Sequence, residues 1–238
     1  MFECPFCHHT CQPSELRPRG LATPVIVEKR ITGSGKRLTR CPQCQSYDRE
    51  RLVYLYLQRQ GRLTTPGLRI LHIAPEDRVR RVLERLPSVE YVIGDISPGK
   101  GMQRVDIRDI EFADERFDLI ICNHVLEHVE EDTRALGELL RVLRTGGLAI
   151  LQTPIALALE STFVLPSAAS DEEREAAYGQ KDHVRLYGRD FPLRVASTGF
   201  EVECFDVSAV YGLEGCARLG LNPEEALIIG HKGTPAIS

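Results

Sequence analysis

The sequence predicts an α/β protein, a Rossmann-like parallel sheet covered by helices and preceded by a small cysteine-rich module. Two observations carry this. From residue 68 onward, strand-like and helix-like runs alternate, the pattern of parallel strands joined by helical crossovers. Over the first ~45 residues the periodicity is weak, and four cysteines fall into two C-x-x-C pairs.

Each element follows in order. PVIVEKRI (24–31) reads as a short strand and GSGK (33–36) as a turn, predicting a β-hairpin between the cysteine pairs. Leu52, Val53, Tyr56 and Leu57 recur at helical spacing, predicting a helix over 47–60 with Ser46 as N-cap and Gly61 as stop. TTPG (64–67) then divides the chain into a module with its linker helix (1–63) and a core (64–238). Core strands are predicted at 68–74, 89–95, 103–105, 117–123 and 147–153, with helices over 76–86, 125–129 and 132–143. FEVECFDV (200–207) and EALIIGHK (225–232) read as a final antiparallel hairpin, which brings the sheet to seven strands. Residues 155–195 break the alternation and read as an insertion or lid, in which the acidic run 171–175 is a solvated helix face.

A chain of 238 residues with 42% hydrophobic content can bury one full core and carry an appendage. No apolar run approaches the roughly 20 residues of a membrane-spanning helix. MFECPFCHHT has neither the basic nor the apolar region of a secretory signal. A cytoplasmic address without a membrane partner is therefore expected, where clustered cysteines bind metal more often than they form disulfides. Residues 1–63 hold 11 basic against 5 acidic side chains, a net charge of +6, and the remainder carries -10. The appendage is compatible with phosphate contacts, whereas the core repels nucleic acid.

Cys4-Pro-Phe-Cys7 and Cys41-Pro-Gln-Cys44 give the sharpest chemical signal. Two thiolates on one tight turn chelate one ion, and two such turns close a four-sulfur structural zinc site of zinc-ribbon type. The competing readings are replacement of one ligand by His8, His9 or Cys11, an iron–sulfur cluster, or four unpaired thiols.

In open α/β sheets, ligands bind beyond the carboxyl ends of the strands. His72, Ala74, Pro75 and Glu76 end the first core strand there. Asp95, with Ile96 beside it, ends the second, where a carboxylate can accept from ribose hydroxyls. Asp106-Ile107 follows the third, where an Asp can accept from an adenine amino group while Ile packs on the ring.

FDLIICNHVLEHVEEDTRALGELLRVLRTGGLAILQTP (117–154), with Asp95 and Asp106 at their spacings, resembles the class I S-adenosylmethionine-dependent methyltransferases over residues 68–154, and more loosely over 195–232. The resemblance implies a seven-stranded methyltransferase sheet and S-adenosylmethionine as cofactor. It implies Asp95 on the ribose, Asp106 and Ile107 at the adenine, and Asn123 and His124 facing the methionine end. One departure is plain. The family's acidic position is His72 and its first loop glycine is Ala74, and Pro75 removes an N–H donor. Glu76 stands where it could meet the cofactor's amino group instead. The His-Ile-Ala-Pro-Glu run, with Cys41-Pro-x-Cys44-x-Ser46-x-x-Arg49-x-Arg51, is similar to a bacterial branch of the family that carries N-terminal CPxC pairs.

Candidate catalytic residues are His124, His128, His183 and Arg185. His124-Val-Leu-Glu127-His128 also fits the H-x-x-E-H metalloprotease pattern, and His128 reads equally as a packing residue. In Asp182-His183-Val-Arg185-Leu-Tyr187-Gly188, His183 could take a proton and Arg185 orient a substrate; the alternative is a hydrogen-bonded loop anchor. The sequence thus points to methyl transfer onto an N or O acceptor of RNA, a small molecule or a protein. The alternative is a non-catalytic binding module that keeps the fold and a structural zinc. Oligomeric state leaves no trace in it.

Overall fold

The computed structural model describes residues 1–20, 23–167 and 169–233, so residue 168 of the expected insertion and residues 234–238 lie outside the described residues. In chain order the elements are β1 (Phe2–Glu3), β2 (Thr10–Cys11), β3 (Arg17–Arg19), α1 (Pro24–Glu28), β4 (Arg37–Arg40), α2 (Asp48–Arg59), β5 (Arg69–Ile73), α3 (Asp77–Leu83) and β6 (Glu90–Asp95). They continue with β7 (Gln103–Arg104), β8 (Phe117–Cys122), α4 (Asp132–Val142), β9 (Leu143–Ile150), α5 (Asp171–Tyr178), α6 (Phe191–Ala196), β10 (Glu201–Asp206), α7 (Val207–Leu219) and β11 (Ala226–His231). No helix among the described residues is long and apolar enough to cross a membrane.

The chain divides into two compact units. The first comprises Met1–Leu63, Pro154–Arg189 and Phe205–Leu227; the second comprises Thr64–Thr153, Asp190–Cys204 and Ile228–Ser238. The change at residue 64 falls where TTPG punctuates the sequence. The segment expected as a single core over 64–238 is shared between the two units.

The sheet has seven strands in the order β10-β11-β9-β8-β5-β6-β7. Strands β5 to β9 run parallel and β11 runs antiparallel to β9. This is the expected Rossmann-like methyltransferase sheet, with strand order reversing on either side of β5 and β8. The central strand β8, FDLIIC, is buried at every position, as a strand covered on both faces must be. Helix α4 turns Ala135, Leu136, Leu139 and Val142 inward at helical spacing. Within β9, where its register with β8 shifts, the chain turns through Gly146, at φ +73°, and Gly147, where a Cβ would sit 2.8 Å from the Arg144 carbonyl oxygen. A glycine pair is the local solution to that tight turn.

Four expectations are corrected. Residues 24–28 form helix α1 rather than a strand: Pro24 opens it, and Val25 and Ile26 pack with Ile31, Ala156, Tyr178 and Leu186. β-branched composition suggested a strand, but proline at the first helical position and one-sided burial win. An antiparallel pair does form between the cysteine pairs, from β3 and β4, but it is not a hairpin, because helix α1 lies between them. The last two strands are not a hairpin, because the thirteen-residue helix α7 intervenes. Helix α2 forms as predicted, but Tyr47 is its N-cap and Ser46 serves the cysteines.

Candidate functional site

In the first unit, both CPxC segments fold into the same turn. The Cys4 carbonyl accepts from His8 N–H at 2.8 Å and the Cys41 carbonyl accepts from Gln45 N–H at 3.0 Å. His8 and Gln45 both take positive φ, +57° and +68°. The two turns therefore present their sulfurs alike. Cys4, Cys7, Cys41 and Cys44 lie with all sulfurs within 4.8 Å of one another. Cys4 Sγ is 3.5 Å from Cys44 Sγ, and Cys7 Sγ is 3.8 Å from Cys41 Sγ. Four sulfurs at about 2.3 Å from one tetrahedral ion stand roughly 3.8 Å apart, so the set fits a four-thiolate metal. His8, His9 and Cys11 are outside it. Burial pushes the Cys7 and Cys41 thiols up. Burial also raises Cys44, but bonds from Ser46 and the neighbouring thiols outweigh it and bring Cys44 down to about 7.

In the second unit, the carboxyl ends of β5, β6, β7 and β8 gather the predicted cofactor residues. His72 is fully buried. Its Nδ1 is 2.8 Å from the Tyr91 hydroxyl and its Nε2 is 3.1 Å from Glu76 Oε2. An ionised Glu76 can only accept, so Nε2 carries the proton and Nδ1 accepts from Tyr91. Burial holds the Tyr91 phenol above its ordinary value, which keeps it a donor. Glu76 Oε1 also accepts from Asn123 Nδ2 at 3.4 Å. Ala74 takes φ +47°, the conformation a loop glycine would supply, and its N–H donates to the Gly94 carbonyl at 2.8 Å. Pro75 follows it, half-buried.

Asp95 stands half-buried at the end of β6, and its Oδ1 accepts from Ser97 N–H at 2.8 Å; Ile96 beside it is exposed. Asp106 receives a bidentate Arg108 guanidinium, with Nη2 2.7 Å from Oδ2, and Arg108 holds its carboxyl down at about 2. Ile107 is buried. Asn123 Oδ1 accepts from Gln152 N–H at 3.3 Å, and His124 N–H donates to the Gln152 carbonyl at 2.7 Å. His124 Nδ1 lies 3.3 Å from Glu127 Oε1, and Thr153 Oγ1 donates to Glu127 Oε2 at 3.0 Å. Glu127 is buried whereas His128 is exposed.

His183 and Arg185 belong to the first unit, where both are buried, with the Arg185 guanidinium 5.7 Å from the Tyr187 ring centre. Sequence reasoning did not select Tyr91, Glu127, Gln152 or Thr153 as site residues. Glu127 lay inside a motif that had been noticed, and its burial is the signal that singles it out. Tyr91 pairs with Ile70 in the β5–β6 ladder, so strand register alone brings it beside β5.

A sheet of this strand order, with carboxylates at the ends of neighbouring strands, defines a methyltransferase-fold α/β protein. Residues 71–151, roughly a third of the chain, match the family described as "Methyltransferase domain". A phosphatidylethanolamine N-methyltransferase of Cereibacter sphaeroides is 32% identical over 56 residues, 24% of this chain and 28% of that protein. Among solved structures, the CurJ carbon methyltransferase superimposes with a TM-score of 0.52 at 18% identity, covering 78% of this chain and 54% of that one. The [4+2]-cyclase SpnF superimposes with a TM-score of 0.51 at 15% identity, covering 82% and 86%. This chain thus spans well under two thirds of the first two proteins, and the structural likenesses concern the fold.

Proposed function

We propose that the protein is an S-adenosylmethionine-dependent methyltransferase acting on a nitrogen or oxygen acceptor, with a structural zinc ion in its four-cysteine set. The observation that carries the reading is the pair of carboxylates, Asp95 after β6 and Asp106 after β7, on adjacent strands in the segment that matches the methyltransferase family. When bound, the cofactor supplies a methyl group activated on a sulfonium.

The residues divide the remaining work. Asp95 accepts from ribose hydroxyls, and Asp106, ionised and oriented by Arg108, accepts from the adenine amino group. The buried Glu76, oriented by His72 and Asn123, restores a carboxylate to a loop whose usual acidic position is a histidine. That charge complements an amino group where Pro75 offers no N–H. On the acceptor side, Glu127 at Nδ1 favours the His124 tautomer protonated there, so Nε2 is the nitrogen suited to take the acceptor's proton. The name of the Cereibacter relative favours nitrogen. The four thiolates leave zinc no open position, so the metal braces the first unit and takes no part in transfer.

Calorimetric titration of the full chain with S-adenosylmethionine tests the reading. Saturable binding is expected, weakened about tenfold or more by Asp95→Asn, the usual scale for losing a charge-assisted hydrogen bond. Absence of heat at millimolar cofactor would remove the methyltransferase assignment.

A further inference from the structure

The first unit contains a groove of about 500 Å³ that the methyltransferase reading does not use. Its floor is apolar and belongs to α1 and the residues just after it: Ile26, Val27 and Ile31. Val27 is 78% exposed, an apolar side chain left facing water on a short helix. The rim is basic, with Arg30, Lys36 and Arg37 set against a single acid, Glu224. Glu224 is already engaged, because Arg30 forms an ion pair with it. Neither Lys36 nor Arg37 forms an ion pair among the described residues.

The strand register makes this charge harder to dismiss. In the β3–β4 ribbon, Arg19 lies directly opposite Arg37 and Arg17 opposite Arg40. Like charges directly opposed across an antiparallel pair are destabilising. Arg19 is relieved by Asp48 at 3.2 Å and by the Tyr47 ring at 4.6 Å. Arg37 has no comparable relief. The turn bounding the groove is also built close to its floor. Gly35 takes φ +96°, and a Cβ there would come within 3.0 Å of Ile26 Cγ2.

Two uncompensated cations beside an exposed apolar floor suit a dianion attached to an apolar or planar body. Arginine favours phosphate because its planar fork can donate two parallel bonds. The volume lies in the range of small-ligand sites, roughly 300–1,000 Å³. We infer that this groove binds a small phosphomonoester, with Lys36 and Arg37 meeting the phosphate and Val27 meeting its apolar body. The inference is independent of the cofactor site.

Binding of phenyl phosphate and of inorganic phosphate to the full, zinc-loaded chain, followed by NMR titration, tests it. Phenyl phosphate is chosen because it lacks a ribose and an adenine for Asp95 and Asp106 to select. It is expected to bind about tenfold tighter than inorganic phosphate, the gain coming from the buried ring. Lys36→Glu and Arg37→Glu should each weaken phenyl phosphate about tenfold or more. Val27→Asp should abolish the difference between the two probes. Arg17→Glu, outside the groove, should change affinity less than twofold, and S-adenosylmethionine affinity should be the same in all four variants. Lack of saturable binding at millimolar phenyl phosphate would overturn the proposal. So would an equal loss in Arg17→Glu, which would mean diffuse charge. Displacement of the probe by a short RNA whose contacts extend to Arg17 would overturn it in favour of a polyanion surface.

Discussion

Arg51 is a fully buried guanidinium that ties the cysteine turns to the end of α7 within the first unit. It donates to the carbonyls of Thr39 and Gly220 at 2.7 Å, Ser46 at 2.8 Å and Leu219 at 3.0 Å, and to Ser46 Oγ at 3.3 Å. It also stacks over Phe2, 5.2 Å from the ring centre. Arg51→Met keeps much of the volume but strands the carbonyls of Thr39, Leu219 and Gly220, whereas the Ser46 carbonyl keeps the Cys41 N–H at 3.0 Å. Each acceptor left without a donor costs about 1–3 kcal/mol. Water entering the vacated space recovers part of that, and relief from burying a cation recovers more, since burial already lowers the Arg51 pKa. Three stranded carbonyls at that cost, less the part recovered, leave a net loss of about 3–5 kcal/mol. At about 2–4 °C per kcal/mol for a protein of this size, the thermal midpoint should fall by roughly 6–20 °C. Circular dichroism melts of the zinc-loaded protein measure it. Arg51→Lys should recover less than half, because one ammonium cannot span acceptors on β4, on the Cys44 turn and at the end of α7. Ser46 Oγ also lies 3.4 Å from Cys4 Sγ and 3.3 Å from Cys44 Sγ, so Arg51→Met should release zinc faster to a chelator. A shift under about 2 °C, or full recovery by lysine, would refute the hydrogen-bond argument.

Three further outcomes follow from local geometry. Metal analysis should find one equivalent of zinc per chain, lost in Cys41→Ser; retention of a full equivalent by that variant would point to another ligand set. Ala74→Gly should be neutral or stabilising by up to about 1 kcal/mol in denaturant midpoints. The left-handed conformation costs alanine about 1–2 kcal/mol, and glycine gives back roughly half of that in chain entropy. The Asp106 carboxyl should titrate near 2 in carbon-detected NMR and move back toward 3.8 in Arg108→Ala. Because its folded value is depressed, its contribution to stability is complete above the unfolded value near 4 and is lost as pH falls through about 2.

Legibility in the sequence tracked how local the determining physics is. Strands β5, β6 and β8 were readable to within a residue or two, because each centres on a short apolar run between turn signals, and β8 is buried at every position. Cys4, Cys7, Cys41 and Cys44 were readable because two-residue spacing and metal chelation are both short-range constraints. Helix α1 was misread because PVIV has strand composition, while its helix depends on Pro24 and on Tyr178 and Leu186, more than 140 residues away. The closing pair was misread because FEVECFDV and EALIIGHK carry clear strand patterns, while nothing in that pairing announces helix α7 between them. Arg51 was visible only as part of a spacing; that it is a buried hub depends on Leu219 and Gly220, brought in by tertiary structure.

The loop after β5 makes the same point at the candidate site. In sequence, His-Ile-Ala-Pro-Glu has no acid at its first position, no glycine and no N–H at Pro75. In space, two of the three are supplied differently. Ala74 adopts the left-handed conformation that a glycine would supply, held by its bond to Gly94. Glu76, four residues beyond His72 and just before α3, reaches back to that histidine, so a buried carboxylate remains beside the end of β5. The histidine is then not a vacated acidic position but the donor that fixes the replacement, with Tyr91 fixing its tautomer in turn. Only the N–H lost at Pro75 has no substitute in this arrangement. A loop of this kind conserves charge and backbone shape while changing every residue that a motif would inspect.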